Sequence, residues 1–524
     1  MPRLLNQRLL EDVEFWKGKG ALLPAYRRMD LPVRSLCFSA GKMAYGHTGD
    51  IMQDLLNINP SVGVMVGVET FAARYCADLA ASDYLTTQLI VESEKDKITP
   101  KIQGAIRSVI LVDGNRASLT WARLMELARD PMIQFATINA PEGAYGVSNA
   151  RERFATPASD AVKRDVTAGS VDSDLGKWTA FARERFAAGL PFALVSCTNF
   201  SANGHVTAAS LRMMAKEWET RSFAPRGFLS YLEDPRRFSF PNSMIDRIAV
   251  PADQKTGEFM ERLGLISSVV VTERLRYWVV EDVFPAGRPP LERAQGVIVE
   301  PTYDEVKKYE DMKLRILNMG HSTIAGLGVL LGYRGPYAIY RAMQDPDLSA
   351  VIGRIIDVTI RTIGRPTGMD PRDFARDTIA RLNNPNIPDD PMRIAFNAST
   401  KMLPRFMDTY FAGRERGLTE KELEIVLLPV AGFLRYCLGA DDALTRYELA
   451  DDPIKGRLES AGRVARVGDP ATATAFRELV ASTDVMGKDL YGYGGAGKRV
   501  ESLVAAMLGG PGSVRTAIQA ALRR

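Results

Sequence analysis

An α/β domain over residues 1–300 followed by a mainly α-helical domain over residues 301–524 is the architecture this sequence predicts, and three observations carry it. From Val33 to Val299, short apolar runs alternate with helix-like stretches, the rhythm of strands joined by crossover helices and hence of a parallel sheet. The first such run feeds a glycine-bearing turn, as phosphate-binding turns in open α/β folds do. After Pro301 the texture changes to long stretches of Ala, Leu, Ile, Arg and Glu, broken at Arg365-Pro366-Thr367-Gly368 and Asn383-Asn384-Pro385-Asn386.

Taken in order, the expected strands are Ser35–Phe38, Val62–Val68, Ser108–Val112, Ile133–Ile138, Phe192–Ser196 and Ser267–Thr272. Leu119–Ala128 and Lys177–Ala188 read as amphipathic helices between them, and Gly143–Asp174 as a loop excursion with a helical portion around Ala158–Arg164. In the second half, the candidate helices are Tyr303–Leu317, Leu348–Ile363, Arg372–Leu382, Lys421–Leu438 and Val500–Leu522. No internal repeat or low-complexity tract interrupts them.

Composition narrows the class. Hydrophobic content of 46% and charged content of 25% belong to an ordinary folded chain, and 524 residues suit two large domains. A net charge of +4 from 67 basic and 63 acidic residues leaves no basic stripe for a nucleic-acid backbone. Cys37, Cys76, Cys197 and Cys437 are far apart and mostly in apolar surroundings, which suggests neither a disulfide framework nor a thiolate zinc site. His47, His205 and His321 lack the spacing of a helical metal site. The N-terminus meets Glu11, Asp12 and Glu14 too soon for a secretory signal, and the apolar runs Ile324–Leu331 and Ile425–Leu438 are too short or interrupted to span a bilayer. A cytoplasmic chain acting on a small molecule, as monomer or homodimer, is expected.

The first strand runs into Phe38-Ser39-Ala40-Gly41-Lys42-Met43-Ala44-Tyr45-Gly46-His47, where a Rossmann-like dinucleotide-binding domain holds the cofactor pyrophosphate against a helix N-terminus. Ser39 stands where the first glycine would be, and Gly41 is retained. The second strand ends at Glu69, an acid that would accept hydrogen bonds from the adenosine ribose and repel a 2′-phosphate, favouring NAD over NADP. Gly492-Tyr493-Gly494-Gly495-Ala496-Gly497-Lys498-Arg499 imitates a Walker loop but ends in Arg where Ser or Thr must hold magnesium; it is read as a connection into the final helix.

Chemistry concentrates in Glu310-Asp311-Met312-Lys313-Leu314-Arg315-Ile316-Leu317-Asn318-Met319-Gly320-His321. On an ideal helix of about 100° per residue, Lys313 lies about 60° to one side of Glu310, while His321 and Asn318 lie about 20° and 80° to the other. One face could therefore carry all four. An amine, an imidazole, a carboxamide and a carboxylate suit proton transfer at a carbon–oxygen bond without a metal: the amine takes the proton and the amide N–H steadies the oxygen. The same residue types also serve as a solvated ion pair and a structural histidine.

The pattern Lys313, four residues, Asn318, two residues, His321 resembles the signature of the polyol-specific long-chain dehydrogenases, the mannitol dehydrogenase family, which includes hexuronate reductases. Ser196-Cys197-Thr198-Asn199, at the end of an apolar strand, is similar to the family's Ser-Cys-x-Asn segment, although Thr198 stands where an Asp is common. Phe240-Pro241-Asn242-Ser243-Met244-Ile245-Asp246-Arg247 and the stretch from Arg381 through Arg393 to Lys401 also look like family segments. In the nucleotide turn the family usually has an aromatic residue and an Arg where Met43 and Tyr45 stand.

The resemblance implies an NAD-dependent interconversion of a sugar alcohol and its ketose. Lys313 would be the general base, Asn318 and Asn199 an oxyanion-stabilising pair, His321 the group orienting the substrate oxygen, and Glu310 a carboxylate relaying the proton to water. Arg393 and Lys401, about two turns apart on a presumed helix, would donate to substrate hydroxyls or a carboxylate, with Asp246 bordering the site. An ordinary lysine, with a pKa of about 10.4, must be brought down by desolvation and by the positive nicotinamide ring to act as this base. The alternatives are an aldonate/keto-uronate oxidoreductase of fructuronate or tagaturonate type, a lyase in which Lys313 forms a Schiff base, and a non-catalytic nucleotide-binding relative.

Overall fold

The structure, a computed structural model, describes residues 2–70, 72–94, 97–148 and 155–523. The chain divides into two units, one formed by Met1–Glu92 with Ile98–Lys307 and the other by Ser93–Lys97 with Lys308–Arg524. The sheet-bearing unit is built on six parallel strands: β1 (Val33–Phe38), β2 (Val64–Glu69), β3 (Ile106–Leu111), β4 (Phe135–Ile138), β5 (Phe192–Ser196) and β6 (Phe238–Ser239). Their spatial order is 3-2-1-4-5-6. That order reverses direction between β1 and β4, the place where doubly wound sheets open a crevice for a nucleotide.

Strands β1, β2, β4 and β5 are buried on both faces apart from one half-buried position in β1, which is why they read as near-continuous apolar runs. The connecting helices begin as their sequences dictate. Ser118, Ser159 and Ser173 accept from the backbone N–H of Trp121, Val162 and Gly176 and so cap Leu119–Arg129, Asp160–Ala168 and Asp174–Ala187. Trp178 and Trp218 are fully buried; Trp178 packs edge-on against Tyr145, and the Trp218 indole N–H donates to Asp165 O at 2.8 Å.

Three expectations need correcting here. The expected strand Ser267–Thr272 forms as Val269–Glu273, but it lies outside the main sheet, in a mixed four-stranded one with Ala249–Val250, Thr86–Val91 and Ile98–Gln103. A further three-stranded sheet of Ser243–Asp246, Tyr277–Glu281 and Val297–Glu300 was not anticipated. The excursion after β4 is more ordered than expected: Asp160–Ala168 is a full helix, ended by Gly169 in the left-handed conformation. Residues 149–154 of that excursion lie outside the described residues.

The second unit is helical. Pro346–Ile360, Pro371–Leu382 and Pro391–Ala395 each start on an Asp cap followed by Pro, a pairing that satisfies an amide and presets the first helical φ. Glu420–Tyr436 opens with a reciprocal capping box between Thr419 and Glu422. The single final helix expected over Val500–Leu522 is two helices, Ala496–Met507 and Ser513–Arg523. Gly509-Gly510-Pro511-Gly512 breaks it, since Pro cannot continue the hydrogen-bond ladder and Gly510 and Gly512 take positive φ. Gly492–Gly495 forms a turn leading into Ala496–Met507. The cysteines are buried free thiols, and among the described residues no helix is long and apolar enough to cross a membrane.

Candidate active site

In the helical unit the chemistry sits on a rod with an unusual winding. It runs as α-helix over Tyr303–Met312, as a π-turn over Lys313–Asn318, as α-helix again over Met319–Thr323 and as a second π-turn over Ile324–Gly328. This corrects the ideal-helix reading. With α-winding Lys313 and Asn318 would point about 140° apart. A π-turn bonds each residue to the fifth along, so positions five apart take up the near-axial register that an α-helix gives to positions four apart. Lys313 and Asn318 are its first and last residues.

Glu310, Lys313, Asn318 and His321 are all buried. The Asn318 carboxamide nitrogen is buried without a hydrogen-bond partner, while the Asn318 carbonyl accepts from Arg405 Nη1 at 3.1 Å. The same Arg405 nitrogen donates to Ser322 Oγ at 2.6 Å. Arg315, within the π-turn, donates to Thr409 Oγ1 at 2.9 Å and to Thr362 Oγ1 at 2.5 Å, and its burial lowers its pKa from the ordinary arginine value. The backbone of the rod is thus tethered while a donor on its side stays available.

His321 Nδ1 lies 3.1 Å from the carbonyl oxygen of Leu317. A carbonyl only accepts, so the neutral ring carries its proton on Nδ1 and presents Nε2 as an acceptor. Burial lowers the His321 pKa to about 4, against the opposing field of Asp389. Asp389, itself buried, takes a two-point ion pair from Arg393, with Nε and Nη2 each at 2.9 Å.

Arg393 and Lys401 do not share a helix as expected. The helix Pro391–Ala395 ends, Asn397 adopts φ 54°, and Lys401 follows in the short 3₁₀ turn Ser399–Lys401. Lys401 Nζ instead folds back onto the carbonyls of Ile394 at 2.8 Å and Phe396 at 2.5 Å, closing the end of the helix that bears Arg393. Asp389 and Arg405 were missed in the sequence. Asp389 stands four residues before Arg393, a spacing that signals a pair on a helix start, whereas nothing local marks Arg405.

In the sheet-bearing unit, β1 is followed by Ser39, which takes φ 60° and donates its N–H to Val68 O at 2.8 Å. The left-handed backbone is what a glycine would adopt at this turn, so Ser39 fills the glycine's conformational role. Gly41 faces open space, and at Gly67 a Cβ would come within 2.7 Å of Ala40 Cβ. The glycine on β2 is what lets the turn lie this close to the sheet. Glu69, at the end of β2, is buried and accepts from the N–H of Thr70 at 2.9 Å.

The helix leaving this turn is anchored below by Asp50, fully buried, which receives Lys101 Nζ at 2.5 Å, Gln103 Nε2 at 2.8 Å, and the guanidinium groups of Arg247 and Arg276. Burial opposes ionisation, but Arg247, Lys101 and Arg276 hold the Asp50 carboxyl below the usual range. Asp246, the last residue of Ser243–Asp246, and the adjacent Arg247 are both buried. Asn199 is exposed three residues beyond β5.

A parallel sheet with a left-handed turn after its first strand in one unit, and an amine, an amide and an imidazole on one rod of the other, fit the expected dehydrogenase class. Two family models agree with that, the mannitol dehydrogenase Rossmann domain over residues 34–293 and the mannitol dehydrogenase C-terminal domain over residues 305–490. The chain belongs to the mannitol dehydrogenase family. It is 30% identical over 550 aligned positions to a D-mannonate oxidoreductase of Thermotoga maritima, covering 99% of both chains. A mannitol 2-dehydrogenase of Cereibacter sphaeroides is 29% identical, over 87% of this chain and 91% of its own. The fold also matches Pseudomonas fluorescens mannitol 2-dehydrogenase, solved as a ternary complex with NAD and D-mannitol, with a TM-score of 0.81 at 23% identity over the full length of both chains.

Proposed function

We propose that this chain interconverts a secondary alcohol of an acyclic polyol and the corresponding ketone with NAD, Lys313 serving as the general base. The unpartnered, buried amide nitrogen of Asn318 carries the reading. Leaving such a donor unsatisfied costs about 1–3 kcal/mol, a cost recovered when a substrate oxygen accepts from it.

In the oxidising direction Lys313 takes the hydroxyl proton, Asn318 donates to the oxygen as negative charge grows on it, and Asn199 is the second donor. His321, neutral with Nε2 available, accepts from a substrate hydroxyl. Glu310 passes the proton from Lys313 towards water. Arg393, oriented by Asp389, faces the remaining hydroxyls, and Lys401 supports it by closing the end of the helix that bears it. The open backbone at Gly41, the left-handed turn at Ser39 and the acid at Glu69 suit a dinucleotide with a free adenosine ribose. When bound, NAD accepts the hydride from the carbinol carbon.

A second reading, an aldonate converted to its keto-uronate, is favoured by the full-length match to a D-mannonate oxidoreductase. Both readings use the same machinery and differ only at the substrate terminus. NAD-linked oxidation of D-mannitol, D-sorbitol and D-mannonate, with NADH-linked reduction of D-fructose and D-fructuronate, tests both readings. Turnover of one series at least a hundredfold above the other assigns the terminus. Irreversible labelling of Lys313 by borohydride in the presence of ketose, with no nicotinamide-linked turnover, would overturn both in favour of a Schiff-base lyase.

A further inference from the structure

Asn203 opens the helix Asn203–Thr220 behind the loop that carries Asn199, and its side chain is almost wholly buried. Its carboxamide makes three hydrogen bonds. Nδ2 donates to Thr198 O at 3.0 Å and to Ser243 O at 2.7 Å, and Oδ1 accepts from Ser243 N at 2.9 Å. Because a backbone N–H only donates, the last bond sets which way the amide faces. The side chain thus pairs with Ser243 as a neighbouring strand would, and spends its remaining donor on the carbonyl next to Asn199.

The neighbouring groups lock the same junction. Ser243 Oγ donates to Ser196 O at 2.6 Å, and Asn242 Oδ1 accepts from the N–H groups of Gly204 at 3.0 Å and His205 at 3.2 Å, capping the helix. A Cβ at Gly204 would stand 2.3 Å from Phe240 O, so only glycine lets the helix start come this close. Thr198 is held from its other side, its hydroxyl donating to Ala140 O at 2.9 Å and lying 3.2 Å from the Tyr145 hydroxyl. The residue before Asn199 therefore has both its carbonyl and its side chain fixed.

We infer that Asn203 is a positioning residue: by joining Thr198 to Ser243 it sets where the Asn199 carboxamide stands when the reacting oxygen gains charge. This rests on the proposed role of Asn199 as an oxyanion donor. Asn203→Asp keeps the shape but turns both donated bonds into contacts between oxygens.

The test is a double-mutant cycle of Asn203→Asp with Asn199→Ala, read as NADH-linked reduction of D-fructose and D-fructuronate, together with NADH affinity and amide exchange of residues 197–202. Asn203→Asp should lower kcat about tenfold and Asn199→Ala about a hundredfold, and the double variant should be within about twofold of Asn199→Ala, because residues acting as one unit are not additive. NADH affinity should stay within about twofold throughout, and exchange over residues 197–202 should quicken at least about tenfold in Asn203→Asp. Losses that multiply, or unchanged exchange, overturn the inference. An Asn199→Ala variant with wild-type kcat would instead sink the role of Asn199 itself. If Asn203→Asp fails to fold, Ser243→Ala, which removes the hydroxyl bonded to Ser196 but keeps the backbone groups paired with Asn203, should show the same non-additivity with a loss of about threefold; a multiplicative loss there also overturns it.

Discussion

Arg405 Nη1 donates to the carbonyl of Asn318 while the Asn318 carboxamide nitrogen, buried, has no partner. One residue is therefore tied by its backbone and free at its side-chain donor, an arrangement that needs no reorganisation when an oxygen arrives.

Replacing Asn318 by Ala should lower kcat about a hundredfold or more, the usual cost of removing one oxyanion donor, with NADH affinity unchanged. Steady-state kinetics alongside NADH fluorescence titration checks this. A loss confined to KM would mean that Asn318 only binds the ground state.

Lys313→Ala should collapse turnover by at least about a thousandfold, since base and proton path go together. The folded state and NADH binding should persist. Turnover within tenfold of wild type would remove Lys313 from the mechanism.

Acid should destabilise the protein through its buried histidines. His47 is fully buried, with Nε2 2.9 Å from Tyr277 O, and burial lowers its pKa from 6.5 to about 3. Its folded pKa lies below the unfolded one, so the unfolded chain binds the extra proton between these values. Stability is therefore full above pH 6.5 and falls as pH drops towards 3. The expected loss from His47 is about 2 kcal/mol by pH 5. His321 adds to it in the same direction down to about pH 4. Denaturant midpoints between pH 7 and 5 should show this slope, and His47→Gln should flatten it.

At Ser39 the left-handed backbone costs a non-glycine residue about 1–2 kcal/mol. Ser39→Gly recovers that and gives back about 0.4–1 kcal/mol through the freer unfolded chain, so stability should be unchanged or slightly raised and NADH binding kept. Ser39→Val, branched at Cβ, should destabilise by about 2 kcal/mol or more. Thermal unfolding of both variants decides it.

Glu69→Ala should lower the preference for NAD over NADP at least about tenfold by removing the charge opposite a 2′-phosphate. An unchanged ratio of kcat/KM for the two cofactors would place ribose selection elsewhere.

What could be read from the residues depended on whether the physics is local. β1, β2, β4 and β5 announce themselves because burial on both faces forces continuous apolar runs. Ile98–Gln103 does not: it contains Pro100 and Lys101, which suit an edge strand, and Lys101 is buried only because Asp50 and Asp54, distant in sequence, receive it. At the site, the Lys313, Asn318 and His321 spacing was legible, but its phase was not, because a π-turn leaves no mark in hydrophobic periodicity. Arg405 matters through a contact with Ser322, far away in sequence, that only the folded unit creates, whereas Asp389 left a local signal in its four-residue spacing from Arg393. The break at Gly509–Gly512 was the opposite case, since its signal is local and plain.

The winding between Lys313 and Asn318 also ties the phase of the rod to the length of that segment. A π-turn is one residue longer than the α-turn it replaces, so if all six residues rewound at ordinary α pitch everything downstream, His321 included, would swing by about 100°, whereas losing one residue of 314–317 together with the π-winding would leave that register nearly unchanged. Side chains at those four positions can drift over evolutionary time wherever packing permits; their number can change only together with the winding.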